Sequence, residues 1–219
     1  FFFLKIMGVC PFCCKSSGDE QNDTLIQGEI NQDRQKDKAV KKLLLLGAGS
    51  SGKTTFFKQL KRIHGQGFTP KDRKDYQAQI DNQIIEQMQK LIIRGRELME
   101  DFPGEYDELE IKGNDAQDSA SYIEMLRRDN EINDEVARHI KVLWNNDGII
   151  STWKCRAKLA IPDSCEYFFN NIDRISKHNY IPNDEDILYV RKRTTGIIEE
   201  HFTIKNTIFH IFDVGGQRN

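Results

Sequence analysis

Gly47-Ala48-Gly49-Ser50-Ser51-Gly52-Lys53-Thr54 spells G-x-x-x-x-G-K-[ST], with an apolar run before it and a helical pattern after it. Lys41-Lys42-Leu43-Leu44-Leu45-Leu46 reads as a short buried strand, and Thr54 to Ile63 reads as a helix. In that setting the glycines let the backbone curl until successive N–H groups face one phosphate chain. Lys53 is then placed to neutralise β and γ oxygens, and Thr54 offers a hydroxyl to Mg²⁺. The helix that follows adds its N-terminal partial charge to the same point. Strand, loop and helix in this order predict a nucleoside triphosphate site on an α/β fold.

The remaining composition narrows the class. A chain of 219 residues holds one large domain or two small ones, and its net charge of −2 gives no sign of broad nucleic-acid binding. No apolar run reaches the ~20 residues of a membrane-spanning helix. Phe1-Phe2-Phe3-Leu4 is apolar, but Lys5 interrupts it and no signal-peptide cleavage pattern follows. Five cysteines, an odd number, argue for a reducing compartment. Cys10-Pro11-Phe12-Cys13 has redox-pair spacing, yet its flanks are polar rather than those of a βαβ turn, and a zinc site would need a fourth ligand nearby. Met7-Gly8 followed by Cys10 suggests instead a start, a myristoylated Gly8 and a palmitoylated Cys10. A single myristoyl chain binds membrane only marginally, ~10⁴ M⁻¹, so two acyl groups are expected. Phe12 departs from the Ser or Thr that the myristoylation pattern prefers.

Residues 15–24 are polar, and Leu25 through Lys42 is helix-compatible with a sparse stripe at Ile26, Ile30 and Val40. Beyond the loop, Thr69-Pro70 is a helix start. Tyr76, Ile80, Ile84, Met88, Leu91, Ile92 and Leu98 then outline an amphipathic helix of about seven turns that ends at Asp101-Phe102-Pro103-Gly104. Helical patterns also cover Ser119 to Arg128, Glu131 to Leu143 and Asp163 to Lys177, with Asp163-Ser164 as a cap for the last. Few runs from 69 to 182 look like strands, so an all-helical block with its own core is expected. Strand character returns at Ile197 to Ile204 and Thr207 to Phe212, joined by a tight turn at Lys205-Asn206. The second of these delivers Asp213 beside Gly215-Gly216-Gln217, the form in which a phosphate-loop site receives the Asp that supports its metal.

Together these segments resemble a heterotrimeric G-protein α subunit. The resemblance rests on Lys42 to Gly49 with Ser51-Gly52-Lys53, Phe57-Lys58-Gln59-Leu60-Lys61, Leu143-Trp144 and Asp163-Ser164. It continues through Asn179-Tyr180-Ile181-Pro182, Asp186-Ile187-Leu188, Arg191 with Thr194-Thr195-Gly196-Ile197, and Phe212 to Arg218. It implies a Ras-like P-loop GTPase domain with an inserted all-α domain: a lipidated leader and βγ-binding helix over 1–40, Ras-like parts over 41–68 and 183–219, and the helical insert over 69–182. It implies that Gly47, Ala48, Gly49, Ser50, Ser51, Gly52, Lys53, Thr54 and Thr55 bind nucleotide. Ser164, Leu188, Tyr189, Arg191, Thr194, Asp213 and Gly216 complete that set. Thr54 and Thr194 would ligate Mg²⁺, with Asp213 acting through water; Arg191 would be an arginine finger in cis, and Gln217 would orient the attacking water. Implied partners are a βγ dimer, a seven-helix receptor, a downstream effector and, through lipids on Gly8 and Cys10, the inner leaflet of the plasma membrane.

The sequence departs from the family pattern in places. Ser50 stands where the family usually has a Glu that pairs with the finger arginine, and Thr54 replaces the usual Ser. The resemblance stops at Asn219, before the family's guanine-reading Asn-Lys-x-Asp segment. Residues 1–219 by themselves are therefore expected to be open in the sheet half, inactive, and indifferent between GTP and ATP. Two other readings stay open: a naturally short, non-catalytic βγ-binding module, and a P-loop ATP phosphotransferase with a helical lid.

Overall fold

The computed structural model describes residues 40–49, 51–127, 130–191 and 196–215. Three strands form one sheet in the order β1 (Val40–Leu45), β3 (Thr207–Val214), β2 (Ile197–Ile204). β1 runs parallel to β3, pairing Leu43 with Ile211 and Leu45 with Asp213. β2 is antiparallel to β3, and Lys205 and Asn206 join them at positive φ, as a two-residue hairpin requires. The turn lies where the sequence predicts it, and β3 runs two residues past Phe212.

Helix α1 (Lys53–His64) covers one face of this sheet. Phe57 meets Phe202 edge-on with ring centroids 5.8 Å apart, and the two form a small core with Ile211. Side chains alternate across a strand, so Leu44, Ile208 and Ile197 fall on the other face. All three are exposed. The first strand is therefore not the buried one its sequence suggests: Leu43, Leu44 and Leu46 are 45%, 54% and 76% exposed. Among the described residues β1 is an edge strand paired with β3 alone, and an apolar run reports hydrophobicity rather than coverage. β1 also begins at Val40, so the helix-compatible stretch read through Lys42 gives its last residues to the sheet.

Between Leu45 and Ile197 the described residues hold helices and no strand. α2 (Pro70–Asp101) opens on a capping box: the Thr69 hydroxyl accepts the Asp72 N–H at 3.1 Å, and the Asp72 carboxylate accepts the Thr69 N–H at 3.0 Å. Its buried Ile80, Ile84, Met88 and Leu91 recur at three- and four-residue spacing, as predicted. They meet apolar side chains from α3 (Asn114–Met125), α4 (Asp134–Trp144), α5 (Asp147–Lys154), α6 (Ser164–Asn170) and α7 (Ile172–Ile175) in one core separate from that of the sheet. A last helix, α8 (Asp184–Tyr189), leads to Arg191.

Several element bounds differ from the sequence reading. α3 starts earlier and stops at Met125, and α4 starts at Asp134 because Asn133 caps it by accepting the Val136 N–H. The helix expected over 163–177 breaks at Asn171 into α6 and α7. Asp163 makes no cap bond; its backbone is already helical, and its carboxylate accepts from Arg156 Nε at 2.6 Å. α5 and α8 have no counterpart in the sequence reading.

Candidate nucleotide site

The phosphate loop leaves the end of β1 and returns into α1. A Cβ on Gly47 would stand 2.8 Å from Ser51 Oγ, and Gly52 holds φ at +86°, so a side chain at either position strains the turn. Closed in this way, the loop brings its carbonyls under Lys53. The Lys53 ammonium donates to the Gly47 and Ala48 carbonyls, each at 2.7 Å, and to Ser51 Oγ at 3.2 Å. It thereby lies across the mouth of the loop.

Thr54, the next residue, donates its hydroxyl to Asp213 Oδ2 at 2.8 Å, across 159 positions of sequence. Asp213 is fully buried near the end of β3 and stands in register with Leu45, the last residue of β1. The parallel β1–β3 pairing is what delivers this carboxylate to the loop. A hydroxyl and a carboxylate oxygen side by side, next to a lysine, are hard oxygen donors. They suit Mg²⁺, which takes one or two side-chain oxygens and completes its shell with phosphate and water.

The other predicted residues distribute as follows. Ala48, Gly49 and Ser51 are exposed in the loop, and Thr55 is exposed in the first turn of α1. Ser164 opens α6. Leu188 and Tyr189 close α8, where Tyr189 stacks on Tyr167 with centroids 4.3 Å apart. Arg191 lines a cleft of about 440 Å³ together with Gln79, Gln83 and Pro162. The structure thus joins Lys53 and Thr54 to Asp213, and joins Ser164 to Arg191 through Gln83. No hydrogen bond among the described residues links Arg191 to the phosphate loop. Ser50, Thr194, Gly216 and Gln217, with the lipidation candidates Gly8 and Cys10, lie outside the described residues.

Two residues that support this site belong to the segments that carry the resemblance, yet their pattern assigns them no role. Lys58 is 3% exposed and donates to the Ile187 carbonyl at 2.9 Å and the Val190 carbonyl at 2.7 Å, fastening α1 to the end of α8. Asp186 is fully buried inside α8. Its carboxylate accepts from Arg174, from the Tyr167 hydroxyl at 2.8 Å, from the Tyr180 hydroxyl at 3.0 Å and from the Asn183 N–H at 2.9 Å. Burial pushes the Asp186 carboxyl up, but Arg174, the Asn183 amide and Tyr167 outweigh it and hold the group below its ordinary range. Replacing Lys58 with methionine keeps the apolar stem and removes the donor from two buried carbonyls. The expected cost is about 2–3 kcal/mol, read as a lower urea midpoint at unchanged slope.

The sequence matches the family model described as G-protein alpha subunit over residues 20–219. The chain belongs to the G-protein alpha subunit family. Among curated G-alpha relatives it is 36% identical to the guanine nucleotide-binding protein alpha-17 subunit of Caenorhabditis briggsae, over 97% of this chain and 58% of the relative. It is 35% identical, over the same shares, to the alpha-17 subunit of Caenorhabditis elegans. The chain therefore spans a little over half the length of these relatives. G-alpha proteins carry a Ras-like GTPase domain and in general bind guanine nucleotide and hydrolyse GTP, and the described residues of this one form a mixed α/β structure with a small sheet. Neither the ATP phosphotransferase nor the non-catalytic βγ-binding module gains support from these matches.

Proposed function

We propose that this chain is the GTP-binding and GTP-hydrolysing α subunit of a heterotrimeric G protein, a switch that couples membrane receptors to effectors. The observation that carries the reading is the Thr54–Asp213 contact at 2.8 Å, a phosphate-loop hydroxyl against a strand-end carboxylate. In this reading Lys53 and the loop amides hold the phosphates. Thr54 and Thr194 would hold Mg²⁺ directly, and Asp213 would hold it through water. Bound Mg²⁺ supplies positive charge to the β and γ oxygens. Arg191 bridges oxygens whose charge grows in the transition state, Gln217 orients the attacking water, and the Gly216 N–H faces the γ-phosphate. Losing that phosphate releases the segments around Thr194 and Gly216, which is how the switch reports its state.

Residues 69–182 serve in this reading as the helical insert, between the Ras-like parts 41–68 and 183–219. The N-terminal segment 1–40 docks a βγ dimer in the GDP state, a seven-helix receptor drives exchange, and acyl groups on Gly8 and Cys10 hold the protein at the cytoplasmic face of the plasma membrane. The test is single-turnover hydrolysis of γ-labelled GTP by the full-length protein, with and without Mg²⁺, alongside competition by GDP and ATP. Mg²⁺-dependent phosphate release, blocked by GDP and untouched by ATP, is expected. Equal competition by ATP would sink the assignment.

A further inference from the structure

The peptide unit between Val190 and Arg191 is held from both sides. Lys58, on the helix that begins at the phosphate loop, donates to its carbonyl oxygen at 2.7 Å. Gln83, on α2 in the other core, accepts its N–H through Oε1, also at 2.7 Å. Gln83 is 8% exposed, and the far end of its amide donates to Ser164 Oγ at 3.4 Å. Because the Arg191 N–H needs an acceptor, the amide has one working orientation, oxygen toward Arg191 and nitrogen toward Ser164. A peptide is planar, so fixing its oxygen and its hydrogen fixes the N–Cα bond of Arg191 and leaves φ as the one backbone torsion that still turns its Cα–Cβ bond.

We propose that Gln83 is a positioning residue for Arg191. It sets the plane from which the arginine side chain projects into the cleft, with Lys58 as the opposing hold. The inference rests on the reading of Arg191 as the arginine of GTP hydrolysis. It adds that the arginine is aimed by a side chain from the helical block, and that its aim is lost when that one amide is lost. Alignment of this kind matters because a displacement of ~1 Å in a group that meets the reacting atoms costs on the order of 100-fold in rate.

The test compares Gln83→Leu and Gln83→Glu with the unmodified full-length protein. Leucine fills the space and accepts nothing; glutamate still accepts the Arg191 N–H and can take a hydrogen bond from Ser164. Two quantities are read: hydrogen exchange resolved to the Arg191 amide, and single-turnover hydrolysis of γ-labelled GTP beside its dissociation constant. In Gln83→Leu, exchange at Arg191 is expected to rise about 10-fold and hydrolysis to fall about 10-fold, with GTP affinity within about twofold. Gln83→Glu should restore both. Unchanged exchange in Gln83→Leu overturns the hold on the peptide. Faster exchange with unchanged hydrolysis overturns the positioning role. So does the reverse pattern, with leucine tolerated and glutamate not, which marks a space-filling residue. If the unmodified protein hydrolyses no GTP, the GTPase reading fails and takes the catalytic consequence with it, while the exchange comparison still decides whether Gln83 holds the peptide.

Discussion

Replacing Asp186 with alanine is expected to lower the unfolding free energy by about 3 kcal/mol, the low end of the range for breaking a buried ion pair because its Arg174 partner is 36% exposed. The carboxylate is fully buried and answers five donors: two nitrogens of Arg174, two tyrosine hydroxyls and the Asn183 amide. Without it, Arg174, 36% exposed, loses its ion pair, and Tyr180, 6% exposed, loses the acceptor for its hydroxyl. α8 loses its capping box as well, since Asp186 supplies the side chain that accepts the Asn183 N–H. Urea unfolding of the two proteins checks the size of the loss. The pH dependence checks its origin. A carboxyl held below its ordinary 3.8 in the folded chain contributes stability that is complete above that value and drains away as pH falls through the folded value. The gap between unmodified protein and variant should therefore be full at neutral pH and narrow in strong acid.

The second large effect has the opposite sign. Asp81, on the core side of α2, is 5% exposed. Burial, reinforced by the charge of Glu131, pushes its carboxyl up to about 7, against the Ile132 amide, which favours the charged form. The folded chain thus binds a proton that the unfolded chain releases between about pH 4 and pH 7. The stability this group contributes is present below its ordinary 3.8 and is lost as pH rises through 7. Above that, a charge sits where the fold favours a neutral group, at a cost of ~4 kcal/mol. Asp81→Asn keeps an oxygen for the Ile132 N–H and removes the charge. The variant is expected to be more stable than the unmodified protein by about 3–4 kcal/mol at pH 8 and equal to it near pH 4. A gap of the same size at both pH values would assign the effect to packing rather than to charge.

Features with long or strongly patterned signals were legible in the sequence. The phosphate loop is spelled out residue by residue, α2 (Pro70–Asp101) carries its cap and many turns of apolar spacing, and β2 and β3 are marked by β-branched residues around Lys205-Asn206. α5 (Asp147–Lys154) and α8 (Asp184–Tyr189) are too short for a 3.6-residue period to repeat convincingly. β1 was legible as a strand but not as an exposed one, because coverage depends on what packs over it. In the site, Lys53, Thr54 and Asp213 could be named because their motifs state their chemistry. Lys58 and Gln83 could not: a lysine or glutamine on a helix reads as solvated surface, and only the fold shows each to be buried against backbone.

Phe57 and Lys58 are consecutive, yet one is seated in the core under the sheet and the other reaches the carbonyls that end α8. Neighbouring helix positions diverge by about 100°, so α1 works as an axle keyed at two angles. Turning or sliding it far enough to free one key frees the other, and the act uncovers an ammonium and two carbonyls together. Intermediate settings are the worst of all, with polar groups neither paired nor hydrated. Parting of the sheet from the helices should consequently behave as a latch that is shut or open, with no half-open angle for the molecule to rest in.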